Sequence, residues 1–257
     1  MTLLRTRMSR NNPIKTSFIR SLITLAIFSF PALASEHLSA VASEWPPYAL
    51  TKTKPYSGID MDLTHIIGQR LGQKIELKRC SFKRCLAETE VGSVDIISGI
   101  ARNKEREQYL TYTDTPYSHV EVAFLVRKGE ASLVQNYEDL YKFKVGTVVK
   151  SEYFEPFNSD PKINRYQVSE EAILLHMLAN KRIDVIIGTN PNIDYQTLKL
   201  GYSDKFETVE YNTGVSVPIY YAISKKSPHT SKIGQIDQII KELIADGQME
   251  RIHSKYK

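Results

Sequence analysis

Short apolar stretches of two kinds alternate along most of the chain. Residues 59–71 repeat apolar side chains at helical spacing and end at Gly72, which predicts an amphipathic helix with a glycine stop. Residues 74–78 alternate apolar and polar side chains, as a half-buried strand does. Residues 95–98 and 183–187 contain apolar runs that indicate interior strands. Strands that alternate with helices predict an α/β architecture.

The second half of the chain continues this pattern. Ser169 is placed to cap a helix that runs to Lys181, and Gly247 is placed to end a long helix that begins near His229. Residues 120–126 and 215–223 are extended and apolar. Segments of this kind are usually plain sheet strands, and they also suit connections between two domains.

The first 34 residues predict a secretory signal. They carry five basic residues and no acidic one, an apolar core at residues 22–30, and Ala32, Leu33 and Ala34 as a cleavage site. Met8 is an alternative start, and an uncleaved membrane anchor is the alternative interpretation of the apolar core. We therefore expect a periplasmic protein.

Removal of this segment changes the charge of the protein. Of the 34 Lys and Arg residues, five lie in the leader, so 29 remain against 29 Asp and Glu. A formally neutral protein lacks the basic field that nucleic-acid binding needs.

Only two cysteines are present, Cys80 and Cys85, and an oxidising compartment permits them to form a disulfide. Two free thiols are the alternative. Four residues separate them, whereas a redox-active pair usually has two. The six histidines show no metal-ligand spacing, so we expect no zinc site and no cofactor.

The segment from Asp95 to Tyr117 is the strongest candidate for chemistry. Gly99 and Ala101 follow the predicted strand and leave room for a ligand near the backbone. Asn103 is a plausible N-cap for a helix over residues 104–108, which would present N–H groups to an anion. Arg106 lies in this helix, where its guanidinium would grip a carboxylate through two parallel hydrogen bonds. A solvated, charge-rich helix face is the alternative.

Five landmarks in order give the chain a resemblance to the periplasmic solute-binding proteins of family 3, which capture polar amino acids and related solutes. These landmarks are EWPPY at residues 44–48, GIDMDL at 58–63, the Arg106 segment with TDTPY at 113–117, KVGTVVKS at 144–151, and RIDVIIG at 182–188. The resemblance implies a two-lobed periplasmic-binding-protein fold of type II. Lobe 1 would comprise residues 36–122 and 220–257, lobe 2 would comprise residues 123–219, and the two apolar connectors would cross between the lobes as a hinge.

The resemblance also implies a function and a set of ligand contacts. The protein would be a monomer without catalytic activity that captures a small carboxylate-bearing solute for an ABC-type membrane permease. Trp45 and Phe82 would form walls of the pocket. The alternative is that both side chains belong to the hydrophobic core. The remaining positions that match ligand contacts are Gly99, Ala101, Arg106, Ser151 at a second-lobe helix start, and Thr189.

Thr189 departs from the pattern of relatives that bind α-amino acids. In those relatives an acidic residue at this place holds the ligand's ammonium group, and some have a second acid where Ala42 stands here. A buried ammonium without a partner would cost several kcal/mol. Either Glu44 or another carboxylate substitutes, or the ligand lacks a free α-ammonium group or carries it in an unusual place.

Two other functions are compatible with the resemblance. A cyclohexadienyl-dehydratase-like enzyme would need a carboxylic acid in the cleft to protonate a leaving hydroxyl, and Thr189 offers none. A sensory module would present its ligand-bound lobes to a receptor. Genomic neighbours would separate a transporter partner from a receptor partner, and the identity of a co-purifying small molecule would be the most useful single observation.

We predict that the exported protein begins at Ser35, because cleavage after Ala34 follows from the Ala32 to Ala34 motif. Intact mass measurement of a periplasmic fraction checks this. A membrane-bound species that retains residues 1–34 would instead identify an anchor.

Overall fold

The computed structural model describes residues 37–256. The expected leader, residues 1–34, therefore lies outside the described residues. Ten strands are present within the described range: β1 His37–Ala42, β2 Lys74–Arg79, β3 Ile96–Ile100, β4 Leu110–Tyr112, β5 Ser118–Arg127, β6 Lys144–Val148, β7 Asn164–Val168, β8 Val185–Asn190, β9 Phe206–Thr208 and β10 Ser216–Ser224.

Six α-helices accompany these strands in the same range: α1 Ile59–Leu71, α2 Phe82–Val91, α3 Glu171–Ala179, α4 Asn192–Lys199, α5 Ile233–Ala245 and α6 Gln248–Ser254. Short 3₁₀ turns occupy Arg106–Gln108, Ala131–Leu133, Tyr137–Lys142 and Thr230–Lys232. The predicted α/β fold class is confirmed. None of the helices within residues 37–256 is long and apolar enough to cross a membrane.

The strands form one sheet path in the order β2-β1-β3-β10-β5-β8-β6-β7, with β4 paired to β10 and β9 paired to β5. Strand β1 is parallel to β2 and β3, and β6 is parallel to β7 and β8. Strands β5 and β10 are antiparallel to their neighbours. The sheet thus has two halves, and within each half the main strands pair in parallel. We call them the first half (β1 to β4) and the second half (β6 to β9), and β5 and β10 lie between them.

Strands β5 and β10 connect the two halves. The start of β5 pairs with the start of β10, as in the Val120 and Val217 pair. Beyond that point β5 continues along β8, and β10 continues along β3 and β4. The two predicted apolar connectors are therefore strands that cross between the halves, as a hinge requires, while the lobe boundaries stay a prediction.

Helix α1 follows the sequence prediction residue by residue. It spans Ile59–Leu71 and buries Ile59, Leu63 and Ile67 in the core of the first half. Gly72 ends it in the left-handed conformation, at φ 64°, which favours glycine. Each fully buried aliphatic side chain of this kind contributes about 1.5–3 kcal/mol to folding. The predicted strand after it is also confirmed, as β2 with one half-buried face.

Helix starts in three other places differ from the sequence prediction. The predicted helix over residues 104–108 is a single 3₁₀ turn at Arg106–Gln108, although Asn103 does accept a hydrogen bond from the Arg106 N–H at 2.8 Å. No helix begins at Ser151, because Lys150 turns the chain at φ 67° and an irregular segment follows. Ser169 does not cap α3: Glu170 is extended, so the helix begins at Glu171.

Gly247 ends one long helix, as the sequence predicts, and it also begins another. Helix α5 ends at Ala245, and Gly247, at φ 71°, turns the chain into α6. The long helix begins at Ile233, after the 3₁₀ turn, and not at His229. Helix α6 packs Met249 and Ile252 into the core of the first half.

The predicted disulfide is present, between Cys80 before α2 and Cys85 within it. The two Cα atoms are 5.5 Å apart, and both cysteines belong to the apolar cluster under α2. This bridge fixes the start of α2, where Phe82 faces the cavity described below.

Replacement of both Cys80 and Cys85 by Ser should lower the free energy of unfolding by about 2 kcal/mol, since the bridge closes a short loop in the unfolded chain. Urea denaturation followed by circular dichroism measures this, and the reduced wild type is the matched control. An unchanged midpoint would show that the bridge contributes nothing to stability.

Candidate functional site

A cavity lies between the two halves of the sheet, and all seven residues that the sequence predicted as ligand contacts line it. They are Trp45, Phe82, Gly99, Ala101, Arg106, Ser151 and Thr189. Because the first five come from the first half and the last two from the second, the fold brings together residues that are up to 144 positions apart.

Arg106 is the buried cation of this cavity, with 3% of its surface exposed. Its Nη1 donates to the Ala101 carbonyl at 2.7 Å, and its Nη2 donates to the Lys150 carbonyl at 2.7 Å. Its guanidinium also lies 5.4 Å from the ring centre of Phe82. No carboxylate pairs with Arg106 among residues 37–256, so its charge is met only by neutral groups.

The aromatic wall of the cavity is held in place by packing within the first half. Trp45 stacks on Tyr48 at 4.5 Å between ring centres. Gly99 has φ 67°, and a Cβ there would lie 3.2 Å from the Trp45 ring. Glycine thus satisfies both the left-handed backbone and the close approach of the indole. Ala101 offers main-chain groups and no hydroxyl.

The second half supplies Ser151 and Thr189. Ser151 follows the left-handed Lys150, and its N–H donates to the Val148 carbonyl at 3.1 Å. The exposed Lys150 side chain pairs with Glu105 at 3.0 Å, so it contributes to the rim and not to the interior. Thr189 is buried near the end of β8.

Glu171 is the residue that sequence reasoning missed. It is the first residue of α3, only 7% exposed, and its Oε1 accepts the main-chain N–H of Thr189 at 3.2 Å. A carboxylate therefore lies beside Thr189, although residue 189 itself carries none. The sequence left open that another carboxylate substitutes for the missing acid, and Glu171 lies where it could do so.

Gly188 makes room for the Glu171 carboxylate. A Cβ on Gly188 would overlap Glu171 Oε1, at a separation closer than real contacts allow. This glycine, at the end of an apolar run, was the available signal that a side chain from elsewhere lies over the strand.

Asp60 is the second buried acid of the cavity and was also missed. The Tyr117 hydroxyl donates to its Oδ1 at 2.6 Å and the Ser98 hydroxyl to its Oδ2 at 2.8 Å. Burial raises the pKa of Asp60 to about 7, and these hydroxyl donors oppose the shift. Burial likewise raises the pKa of Glu171 to about 8, opposed by the Thr189 N–H.

The other acidic side chains that line the cavity already have partners. Glu44, the substitute considered from the sequence, accepts from the Thr51 N–H at 2.6 Å and from its hydroxyl at 3.0 Å. Glu152 accepts from the Asn103 amide at 2.8 Å, and Glu170 pairs with Arg79 at 2.8 Å. Within residues 37–256, the Glu171 carboxylate shows only the bond from Thr189, which leaves its second oxygen without a protein donor.

The sequence model of the bacterial extracellular solute-binding proteins, family 3, matches residues 39–257. This match covers nearly all of the described chain. The chain belongs to this family. The resemblance inferred from the five landmarks is thereby confirmed.

Named relatives of this family-3 protein include two from Bacillus subtilis strain 168. A probable amino-acid-binding protein, YxeM, is 22% identical over 226 residues, which cover 86% of this chain and 83% of the relative. The L-cystine-binding protein TcyJ is 23% identical over 223 residues, which cover 83% and 81%. These relatives are binding proteins by name.

A solved structure shows the same fold. The substrate-binding protein AbpA of an amino acid ABC transporter from Streptococcus pneumoniae, bound to L-arginine, superimposes with a TM-score of 0.73. It is 21% identical and the alignment covers 86% of this chain and 94% of AbpA. The two-lobed periplasmic-binding-protein fold expected from the sequence is confirmed.

We predict that the free energy of unfolding of this family-3 protein falls as the pH rises from 5 to 8. In the unfolded chain, acids lose their protons near pH 4, whereas folded Asp60 and Glu171 hold theirs to about pH 7 and 8. The folded protein thus binds more protons in this window, which costs up to about 1.4 kcal/mol per pH unit for each group.

Urea denaturation at several pH values measures this slope. Glu171→Gln should make the slope shallower, and Glu90→Gln, which changes an exposed carboxylate, should leave it unchanged. A wild-type stability that is flat or rises between pH 5 and 8 would contradict the prediction.

Proposed function

We propose that this protein captures a small carboxylate-bearing solute in the cavity between its halves and delivers it to an ABC-type membrane transporter. The observation that carries the proposal is the buried Arg106 guanidinium, which has neutral acceptors on two nitrogens and no acidic partner among the described residues. A buried charge is costly unless it is paired, and a ligand carboxylate supplies that pair.

The ligand contacts proposed from the family pattern fit this arrangement. Trp45 and Phe82 supply flat apolar walls, and Gly99, Ala101, Ser151 and Thr189 supply main-chain or hydroxyl groups around the solute. Family relatives that bind amino acids, such as TcyJ and AbpA, support an amino acid or an amino-acid-like solute.

Delivery requires that the cavity opens and closes. We propose that lobe 1 (residues 36–122 and 220–257) and lobe 2 (residues 123–219) move about the crossing strands β5 and β10. In the described structure the halves touch across the cavity through Arg106 to Lys150 and through Asn103 to Glu152. Closure of this kind surrounds a solute and excludes water.

The site of action is the periplasm, after export and cleavage of residues 1–34, and the protein acts as a monomer with its permease. A sensory role would use the same binding event with a receptor in place of the permease. The dehydratase alternative now has an acid in the cleft, Glu171, so recovery of the bound solute in unchanged form is the observation that separates binding from catalysis.

Arg106→Ala should weaken solute binding by about 2–5 kcal/mol, since it removes one partner of a buried, hydrogen-bonded charge pair. Arg106→Lys should restore little, because a point charge does not reproduce the two parallel bonds of a guanidinium. Isothermal titration with the solute that co-purifies with the wild type measures both affinities.

Lys104→Ala is the matched control, two residues away and exposed. Its affinity should equal that of the wild type. Near-normal affinity in Arg106→Ala, with the wild type binding the same solute, would show that the carboxylate site lies elsewhere.

A further inference from the structure

The acidic side chains of the cavity differ in how many hydrogen bonds their carboxylate oxygens accept. Five carboxylates line it, from Glu44, Asp60, Glu152, Glu170 and Glu171, against one buried guanidinium. Asp60 and Glu170 have donors on both oxygens, and Glu44 and Glu152 have donors on one oxygen and are only half-buried. Glu171 has one donor, the Thr189 N–H, and its second oxygen has none among residues 37–256.

Glu171 is also built into its place. It is more than nine-tenths buried, the bare backbone of Gly188 accommodates its carboxylate, and the same side chain lines the cavity. Burial without a counter-charge disfavours the ionised form and raises the pKa of Glu171, so the acid is protonated at neutral pH. A cation from outside would reverse that balance.

We propose that Glu171 binds a protonated nitrogen of the solute whose carboxylate Arg106 holds, and that the transported solute is therefore zwitterionic or cationic. The proposal rests on the function proposed above. Glu171, which reaches strand β8 from helix α3, takes the role of the acid that relatives carry at the position of Thr189. The cation is then held by a different element from the one that carries Thr189, so the solute nitrogen need not be an α-ammonium.

Binding in this form releases a proton. A solute ammonium next to Glu171 stabilises its carboxylate, and the proton of the acid passes to solvent. Tyr153 interacts electrostatically with Glu171, and burial raises the pKa of Tyr153 above its usual value. The partnered carboxylates Glu152 and Glu170 line the same cavity, as do Glu44, Asp60 and Arg106 of the first half.

The test uses a panel of probes in matched pairs. Each carboxylic acid with a protonated nitrogen (the common L-amino acids, L-cystine, β- and γ-amino acids) or a quaternary nitrogen (betaines) is compared with a counterpart whose nitrogen is acetylated or absent. Thermal shift identifies the pair that contains the tightest ligand, and titration gives both affinities. We expect the cationic member to bind at least 100-fold more tightly in the wild type.

Glu171→Gln keeps an oxygen for the Thr189 N–H and removes the charge. The preference for the cationic member should fall to within about threefold, while the uncharged member binds as before. Glu90→Gln, which changes an exposed carboxylate outside the cavity, should keep the full preference. Retention of the preference in Glu171→Gln, or a tightest wild-type ligand without a cation, would overturn the proposal.

Proton release gives a second readout. Titration of the wild type and of Glu171→Gln at pH 7 in buffers of different ionisation enthalpy should show more protons released per cationic solute bound by the wild type. Equal proton release from the two proteins would overturn the role of Glu171. Failure of every carboxylate in the panel to bind would overturn the proposed function itself, which distinguishes the two failures.

Discussion

The buried charge of Arg106 constrains the whole cavity. Its two terminal nitrogens donate to Ala101 in the first half and to Lys150 in the second, so one side chain ties together two parts of the sheet. Those acceptors satisfy hydrogen bonds and leave the charge itself without a counter-ion in the described chain. In the function proposed above, a solute carboxylate completes the pair, and binding then stabilises the folded protein.

Around this centre, the ion pairs that join the halves are weak. Arg79 pairs with Glu170 at 2.8 Å and Lys150 with Glu105 at 3.0 Å, but both pairs reach solvent. Ion pairs of this kind contribute about 0–1 kcal/mol each. They orient the rim without locking it, and this suits a protein that must release what it captures.

The sequence predicted the parts of the fold that local pattern controls. Helix α1 has a wide apolar face and a glycine stop, so its bounds follow from periodicity alone. The start of α3 does not follow from periodicity. Glu170 has an extended backbone there, and its carboxylate pairs with Arg79 and Lys52 from the first half. Arg106 was found through its segment, whereas Glu171 looked like an ordinary first-turn acid. Only tertiary packing over Gly188 makes it part of the cavity.

Gly188 also limits how this pocket can change over time. A methyl group at position 188 would overlap both Glu171 Oε1 and the Ile193 side chain, so both would have to move. A lineage that fills position 188 must therefore shift or lose the carboxylate of Glu171. Substitutions at these two positions should occur together among relatives, and the pair would serve as a marker for subgroups that differ in the solute they carry.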